Sequence, residues 1–265
     1  MPELPEVETI KRELEKVILN KKIKDVIIKK QKVIKEPAPK KFKENLKGER
    51  VKEIIRKAKV LILRLEKNFL IIHLKISGWI LYGKEEEKSA VSILFEDGNY
   101  LNYMDQRLLG ELRLRKDFKD LKFIKELGPE PFEFTLEEFK EKVKKKKTKI
   151  KLLLMDQKFI SGVGNVYAVE SLFRAKINPL TPANKLSDEK IQELFKAILE
   201  VLKEAIKYKG SSVDTYRDIY GKEGKMTCRL KVYGRESEPC FICKTPIKKI
   251  ELGGRSTYFC PKCQK

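Results

Sequence analysis

Four of the five cysteines form two closely spaced pairs, Cys240 with Cys243 and Cys260 with Cys263. Pairs at this spacing supply four thiolates to one tetrahedral Zn²⁺, and Gly253-Gly254 suits the turn of a hairpin between them. Four sulfurs leave no position open for a substrate, so we predict one structural zinc ion per chain and no catalytic metal or organic cofactor. Reactive surface thiols are the alternative. Cys228 is predicted to be a buried or half-buried residue outside the cluster.

The opposite end of the chain offers a different chemistry, because MPELPEVETI places a proline after the initiator methionine. Removal of Met1 would expose the secondary amine of Pro2. An α-amino group has a pKa of about 7.7–8.0 against about 10.4 for lysine, so more of it is unprotonated near neutral pH. Such an amine can attack an electrophilic sugar carbon and form an iminium, with Glu3 beside it to transfer protons. Alternatively, Glu3, Glu6 and Glu8 only complement the dipole of a helix N-terminus.

Charge indicates the class of partner. Sixty Lys and Arg residues against 39 Asp and Glu give a formal net charge of +21 over 265 residues, which predicts a nucleic-acid partner. The run KVKKKKTKIK at 142–151 is either a solvated helix face or, since a glycine-bearing helix–turn–helix follows it, a phosphate contact. No segment approaches the ~20 apolar residues of a membrane span, so an intracellular protein without a membrane partner is expected.

Hydrophobic periodicity divides the chain into a strand-rich first part and a helical second part. An amphipathic helix is predicted at 5–18. From 22 to 116, strand-like runs follow one another without interleaved helices, which predicts an antiparallel sandwich or barrel in which Asp97-Gly98 forms a hairpin turn.

Helical periodicity returns after GPEPF at 128–132, a predicted linker. Thr135 and Glu138 predict a capping box, and Ser187 a cap for a helix that runs to Gly210. Helix, glycine turn and second helix are predicted for 151–175.

Several motifs occur in a fixed order across nearly the whole chain: MPELPEVET, RKAK at 56–59, HLKISG at 73–78, GVGNVYA at 162–168, VYGR at 232–235 and the cysteine pairs. Together they resemble the bacterial formamidopyrimidine-DNA glycosylase family. The resemblance implies a multidomain α+β fold with an N-terminal β-sandwich flanked by helices, a helix-two-turn-helix domain and a C-terminal four-cysteine zinc finger. The implied divisions are a catalytic domain at 1–127, a linker at 128–134, the helix-two-turn-helix domain at 135–225 and the finger at 226–265.

The resemblance also implies a bifunctional glycosylase and abasic-site lyase of base excision repair. It would remove oxidised purines such as 8-oxoguanine and formamidopyrimidines and cut the strand by β,δ-elimination. The implied partner is double-stranded DNA that carries oxidised bases or abasic sites, bound by a monomer in the bacterial cytoplasm at the nucleoid.

Four residues match the family's catalytic positions. Pro2 matches the nucleophile that attacks the deoxyribose C1′ and forms a Schiff base, and Glu3 matches the proton donor that assists sugar opening. Lys59, at the start of an apolar strand, matches the lysine of proton transfer in β-elimination. Arg255 matches the arginine linked to the second elimination and to flanking phosphates, where electrostatic clamping suits a side chain that does not readily release a proton.

Other matched positions are implied to contact DNA. His73, Lys147 and Asn165 are expected at the DNA face, Asn165 with its side chain and the backbone N–H groups of a helix start holding a phosphate. Tyr167 and Glu170 are expected to support that helix internally.

The target base lies inside a duplex and must be flipped out of the stack. In the family a Met, an Arg and a Phe fill the space that it leaves, and here the matching residues are Ile76, Arg107 and Leu109. Two further departures are Leu108, where an arginine is expected, and Ala90, where a histidine is common.

The stretch 211–225 corresponds to a mobile loop over the flipped base.

Two alternative functions stay open. An endonuclease VIII-like glycosylase would prefer oxidised pyrimidines, but that branch typically has glycine in place of Leu4. A catalytically silent zinc-containing DNA-binding protein is disfavoured by the presence of Pro2, Glu3 and Lys59.

Overall fold

The computed structural model describes residues 2–265, which divide into two compact units. The first unit comprises residues 2–125 together with Tyr208–Thr227, and the second comprises Glu126–Lys207 and Cys228–Lys265. The 208–227 segment therefore packs with the first unit, whereas the expected limits place 208–225 in the helical domain and 226–227 in the finger. The predicted linker at 128–134 lies within the second unit. None of the helices in the described part of the chain is long and apolar enough to cross a membrane.

Nine strands of the first unit form two sheets. They are β1 (Ile23–Ile28), β2 (Ile34–Glu36), β3 (Glu53–Lys57), β4 (Val60–Arg64), β5 (Phe69–His73), β6 (Gly78–Gly83), β7 (Val91–Phe95), β8 (Tyr100–Asp105) and β9 (Glu111–Arg115). One sheet has the order β1-β7-β8-β6 and the other β2-β9-β5-β4-β3, antiparallel throughout except for the β2–β9 pair. Gly98, at φ +83°, lies in the turn between β7 and β8, which confirms the predicted hairpin.

Three helices accompany these sheets: α1 (Leu4–Ile18), α2 (Pro39–Leu46) and α3 (Lys122–Lys125). Helix α1 buries Val7, Ile10 and Leu14 in the sandwich core, as its periodicity predicted. Helix α2 was not predicted, and the expectation of strands without interleaved helices is wrong at this point. Only Phe42 and Leu46 of α2 are buried, so its apolar periodicity is too short to be recognised.

The second unit contains four helices and one hairpin: α4 (Leu136–Lys144), α5 (Ile150–Met155), α6 (Asn165–Arg174), α7 (Asp188–Lys207), β10 (Lys248–Glu251) and β11 (Ser256–Phe259). The predicted capping box is confirmed, since Thr135 Oγ1 accepts from the Glu138 amide and the Glu138 carboxylate accepts from the Thr135 amide. Ser187 caps α7 through the Lys190 amide at 3.3 Å. Local side-chain chemistry therefore sets where these helices begin.

Candidate functional site

The N-terminus of α1 holds two carboxylates in a buried setting. Glu3 directly precedes the helix, Glu6 lies in its first turn, and each is 2% exposed. The Glu3 amide donates to Glu6 Oε2 at 2.8 Å, and the helix dipole favours negative charge at this end. Pro2 is buried beside them. The expected loss of Met1 concerns a residue outside the described residues.

Lys59 lies in the turn between β3 and β4. It was predicted to start the apolar strand, but β4 begins one residue later, at Val60. The turn requires a positive φ of +52° at Ala58. Lys59 is 9% exposed, and this burial lowers the pKa of its amine, while the Glu3 and Glu6 carboxylates act in the opposite direction. A larger fraction of Lys59 is therefore neutral than of an ordinary lysine, which suits an amine that must accept a proton.

Arg56 braces the turn that carries Lys59 against α1. Its Nε donates to Glu8 Oε2 at 2.8 Å, and its Nη1 donates to the Ala58 carbonyl at 3.0 Å. Burial raises the pKa of Glu8, but the Arg56 and Arg12 guanidiniums outweigh it and hold that pKa below its usual value. Glu8 therefore does more than complement the helix dipole: it fixes the position of the turn.

His73 ends β5, and in the strand register it lies opposite Val60, the residue after Lys59. Its ring stacks on Phe123 with centroids 5.7 Å apart, and its buried Nδ1 has no hydrogen-bond partner among the described residues. Burial lowers the pKa of His73 to about 3, and the charge of Lys75 acts in the same direction. His73 is therefore a neutral imidazole at pH 7.

As His73 is the only histidine, its Cε1–H signal can be followed by NMR in a protein without a histidine tag. We expect the folded protein to keep the neutral shift from pH 7 to about pH 4, with a midpoint at about 3. Since this pKa lies below the unfolded value of about 6.5, the stability that the neutral ring contributes is lost as the pH falls from about 6.5 towards 3. Urea-unfolded chain is the control, with a midpoint at about 6.5. The same midpoint in the folded state would contradict the assignment.

Ile76, Arg107 and Leu109, which match the family's residues that fill the space of the flipped base, are called the wedge residues below. They lie in two turns of the first unit. Ile76, partly buried, lies between β5 and β6, whereas Arg107 and Leu109 are exposed between β8 and β9. Leu109 is 40% exposed, which is unusual for a large apolar side chain and suits insertion between base steps. The two departures have structural explanations: Leu108 packs against the sandwich core, and Ala90 is buried within it.

The 208–227 segment is fastened to the polar face of α1. Glu6 Oε1 accepts from the Ser211 amide at 2.8 Å, while Glu13 Oε1 pairs with Lys209 Nζ at 2.6 Å. Gly210 has φ +76°, and a Cβ there would lie 2.7 Å from Glu6 Oε1, so glycine is required. The helix whose start carries Pro2 thus also sets the position of this segment.

In the second unit, Asn165 is the first residue of α6, as predicted, but its side-chain amide is already engaged. Asn165 Nδ2 donates to the Ser256 carbonyl at 2.9 Å, and Oδ1 is buried without a hydrogen-bond partner in residues 2–265. Arg255, next to Ser256, is exposed in the turn of the β10–β11 hairpin. The Asn165 amide thus ties α6 to the hairpin beside Arg255. A phosphate contact of this side chain stays a prediction.

The basic run divides into an exposed part and a buried end. Lys147 is exposed in the connection between α4 and α5, as a phosphate contact requires. Lys151 is instead fully buried, and its Nζ donates to the Leu252 carbonyl at 3.4 Å. Hydrophobic patterning gave no signal for this lysine, which packs beneath the hairpin turn.

Glu170 was expected to support α6 internally, and its carboxylate instead joins α6 to residues 231–233. Its carboxylate, 4% exposed, accepts from the amides of Lys231, Val232 and Tyr233 at 2.9 Å each. Burial raises the pKa of Glu170, against the opposing effect of these hydrogen bonds. Tyr167 is fully buried in the same helix.

The four paired cysteines converge on one point, with every Sγ within 4.8 Å of the others. The Cys240–Cys263 and Cys243–Cys260 sulfur separations are 3.9 and 3.4 Å. Zinc–sulfur bonds of about 2.3 Å in a tetrahedron place the sulfurs about 3.8 Å apart, so the cluster fits Zn²⁺. Cys228 lies outside the cluster but is exposed, so the prediction of a buried or half-buried side chain is wrong.

Three protein-family models match this chain. The formamidopyrimidine-DNA glycosylase N-terminal domain matches residues 1–112, the formamidopyrimidine-DNA glycosylase H2TH domain matches 127–217, and a zinc finger found in FPG and IleRS matches 237–265.

Curated relatives match over the full length. A formamidopyrimidine-DNA glycosylase of Listeria monocytogenes is 41% identical, with 100% of both chains covered. One of Bacillus cereus is 40% identical, with 100% of this chain and 99% of the relative covered.

Solved structures agree in fold. A complex of a Lactococcus lactis FPG mutant with Fapy-dG containing DNA has a TM-score of 0.92 at 37% identity, and covers 100% of both chains. A complex of MutM with DNA containing carbocyclic 8-oxo-G has a TM-score of 0.91 at 37% identity, again with 100% of both chains covered.

Proposed function

Because the chain belongs to the formamidopyrimidine-DNA glycosylase family, we propose that it removes oxidised purines from duplex DNA through a Schiff base at Pro2 and then cuts the strand by β,δ-elimination. Family membership makes it a DNA glycosylase with abasic-site lyase activity that serves base excision repair. The residues that perform each step, and the preference for purines, belong to the proposal.

The observation that carries the proposal is the buried group at the start of α1. Glu3 and Glu6 are 2% exposed beside Pro2, and their charges act on Lys59, whose own burial lowers its pKa. A carboxyl group that donates a proton in its protonated form and a lysine that accepts one are the two groups that excision followed by elimination requires. A site that only bound DNA would need neither.

The reaction follows from these groups. The neutral Pro2 nitrogen bonds to the deoxyribose C1′ as the bond between C1′ and the base breaks, and the base leaves with that electron pair and with the proton that the nitrogen loses. Glu3 then supplies a proton to O4′ while the C1′–O4′ bond breaks and the nitrogen lone pair forms the C=N bond. The product is an iminium, which makes the C2′ protons acidic. Neutral Lys59 takes one of them, and the 3′ phosphate leaves. Arg255 stabilises phosphate charge during the second elimination as a fixed cation.

DNA is held by groups that the fold presents at turns and helix starts. Lys147 and Arg255 are exposed cations suited to phosphate, and the N-terminus of α6 at Asn165 adds backbone N–H groups. His73 contributes as a neutral hydrogen-bonding imidazole. The four cysteines would hold one Zn²⁺, whose role would be structural, because a closed four-sulfur site has no position for substrate.

A preference for purines is supported by Leu4, because the endonuclease VIII-like branch typically has glycine at this position. Leu4 is the position at which the formamidopyrimidine-DNA glycosylase and endonuclease VIII-like branches typically differ. It is fully buried in the first turn of α1. It therefore acts through the packing of the helix start.

A direct comparison of substrates tests the proposed function. Duplexes with one 8-oxoguanine or one thymine glycol are incubated with the protein under single-turnover conditions, with borohydride in parallel reactions. We expect faster incision at 8-oxoguanine and a covalent adduct at Pro2, located by mass spectrometry. Faster incision at thymine glycol would favour the endonuclease VIII-like alternative, and no adduct with either duplex would exclude a Schiff-base enzyme.

Lys59→Gln is expected to slow strand cleavage at a preformed abasic site by about 10²–10⁴-fold, the usual contribution of a general base. Neutral Lys59 is the active form, so the wild-type rate should rise with pH around a midpoint below the ordinary lysine value of 10.5, and Lys59→Gln should lose this dependence. Single-turnover cleavage from pH 6 to 10 measures both. Lys57→Gln on β3 is the matched control and should behave as wild type. An unchanged pH profile in Lys59→Gln would remove Lys59 from the reaction.

A further inference from the structure

One buried carboxylate that the proposed reaction does not use joins the two wedge-bearing turns. Asp105 ends β8 and is 6% exposed. Its Oδ1 accepts from Ser77 Oγ at 2.6 Å, the Leu108 amide at 3.0 Å and the Arg107 amide at 3.2 Å; its Oδ2 accepts from the Gly110 amide at 2.7 Å and the Tyr103 hydroxyl at 3.3 Å. Three of these donors are backbone amides of a single turn, and a fourth comes from the neighbouring turn.

The strand register explains why one side chain reaches both turns. Asp105 pairs with Gly78 across the β6–β8 ladder, so the turn before β6 and the turn after β8 leave the sheet side by side. Ile76 lies in the first turn next to Ser77, and Arg107 and Leu109 lie in the second. Asp105 is therefore hydrogen-bonded to Arg107 itself and to residues directly next to Ile76 and Leu109.

Both turns contain a backbone conformation that needs support. Lys75 has φ +54° and Leu108 has φ +53°, and this left-handed conformation is strained for any residue other than glycine. The Leu108 amide donates directly to Asp105 Oδ1. The hydrogen bonds to Asp105 therefore hold a turn that would otherwise relax.

The Tyr103 hydroxyl packs closely against Gly78 and Gly110. A Cβ at Gly110 would lie 1.7 Å from the Tyr103 hydroxyl oxygen, and one at Gly78 would lie 2.9 Å from it. Burial raises the pKa of Tyr103, and the Asp105 charge adds to this, so the hydroxyl remains a donor. The hydroxyl lies near Gly78, the first residue of β6, and Gly110 in the turn before β9, and it donates to the carboxylate that joins the two turns.

We propose that Asp105 is the positioning residue of the DNA wedge, because it fixes the two turns to each other so that Ile76, Arg107 and Leu109 enter the duplex as one preorganised unit. Flipping a base out of the stack costs a few kcal/mol, and a wedge already in position avoids a further ordering cost. Phosphate repulsion by the carboxylate is limited, since it is buried and accepts five hydrogen bonds. This inference rests on the proposed function.

Asp105→Asn tests the proposal with two substrates. A duplex with 8-oxoguanine requires the wedge, whereas a single-stranded oligonucleotide with a preformed abasic site offers the reactive sugar without a stack to enter. We expect single-turnover excision from the duplex to fall by about 10²-fold, the loss typical of a misplaced positioning group, while single-stranded cleavage stays within about twofold of wild type. Ser77→Ala, which removes only the link to the Ile76 turn, should show a smaller loss with the same pattern.

The control is Asp97→Asn in the β7–β8 hairpin, whose carboxylate pairs with Lys21 and should have no effect on either substrate. A double-mutant cycle with Arg107→Ala distinguishes positioning from stability: Asp105→Asn should add less than about twofold once the wedge is impaired. A wild-type duplex rate, an equal loss on both substrates or full additivity in the cycle would each overturn the proposal. Inactivity of the wild-type protein on both substrates would instead reject the proposed function.

Discussion

Replacement of Pro2 by glycine is expected to abolish the borohydride-trapped adduct and to slow strand cleavage by about 10³-fold or more, since loss of a nucleophile removes the step on which the others depend. A secondary amine gives an iminium that keeps its positive charge, whereas the imine of a primary amine must be protonated before it can withdraw electrons. Glycine also adds backbone freedom where the proline ring holds the nitrogen before α1. Trapping yield and single-turnover cleavage measure the loss.

Pro39→Gly provides a matched control, because Pro39 is the first residue of α2 and the substitution is chemically the same. It should leave trapping and cleavage unchanged. Intact-mass analysis of both proteins must show that Met1 is absent, as a retained methionine would block the Pro2 nitrogen. A preparation that keeps Met1 and cuts damaged DNA at the full rate would refute the mechanism.

Features that depend on neighbouring residues could be predicted from the sequence. The Thr135 capping box, the hairpin turn at Gly98 and the pairing of four cysteines each follow from residue types a few positions apart. Their physical causes are local hydrogen bonds, backbone conformations and ligand spacing, so no tertiary information is needed.

The burial and the pKa of the candidate catalytic groups could not be predicted from neighbouring residues. Lys59 was expected on a strand, but it lies in a turn, where its burial lowers its pKa. The turn is held against α1 by the hydrogen bond from Arg56 to Glu8, two residues 48 positions apart. Sequence patterns give residue types, whereas a pKa depends on what the fold brings near.

Other contacts of the candidate site could not be predicted because they are hydrogen bonds between residues far apart in the sequence. Glu6 contacts Ser211 across 205 positions, and Asn165 contacts Ser256 across 91. In the sequence, Glu6 is recognisable only as a charge on a helix end, and Asp105 carries no distinguishing signal, because a carboxylate beside a turn is common in any sequence. Both roles become visible only when the donors that surround the carboxylate are known.

Cys260→Ser is expected to remove zinc from the purified protein and to weaken binding to lesion-containing duplex DNA by about 100-fold or more, because structural zinc supplies about 10–16 kcal/mol of apparent binding free energy to small fingers. Cys240 and Cys260 are fully buried and pack with Val169 and Phe173 of α6. Loss of the metal therefore frees the hairpin that presents Arg255. Metal analysis and DNA titration measure the two effects.

Cys228→Ser is the control for loss of a thiol, since Cys228 is exposed and outside the cluster. It should retain one equivalent of zinc and wild-type affinity. The first unit should keep its fold in Cys260→Ser, because its sandwich core contains none of the four ligands. Damage confined to DNA binding would thus connect the metal to the position of Arg255, whereas wild-type affinity without zinc would show that the finger needs no metal to hold DNA.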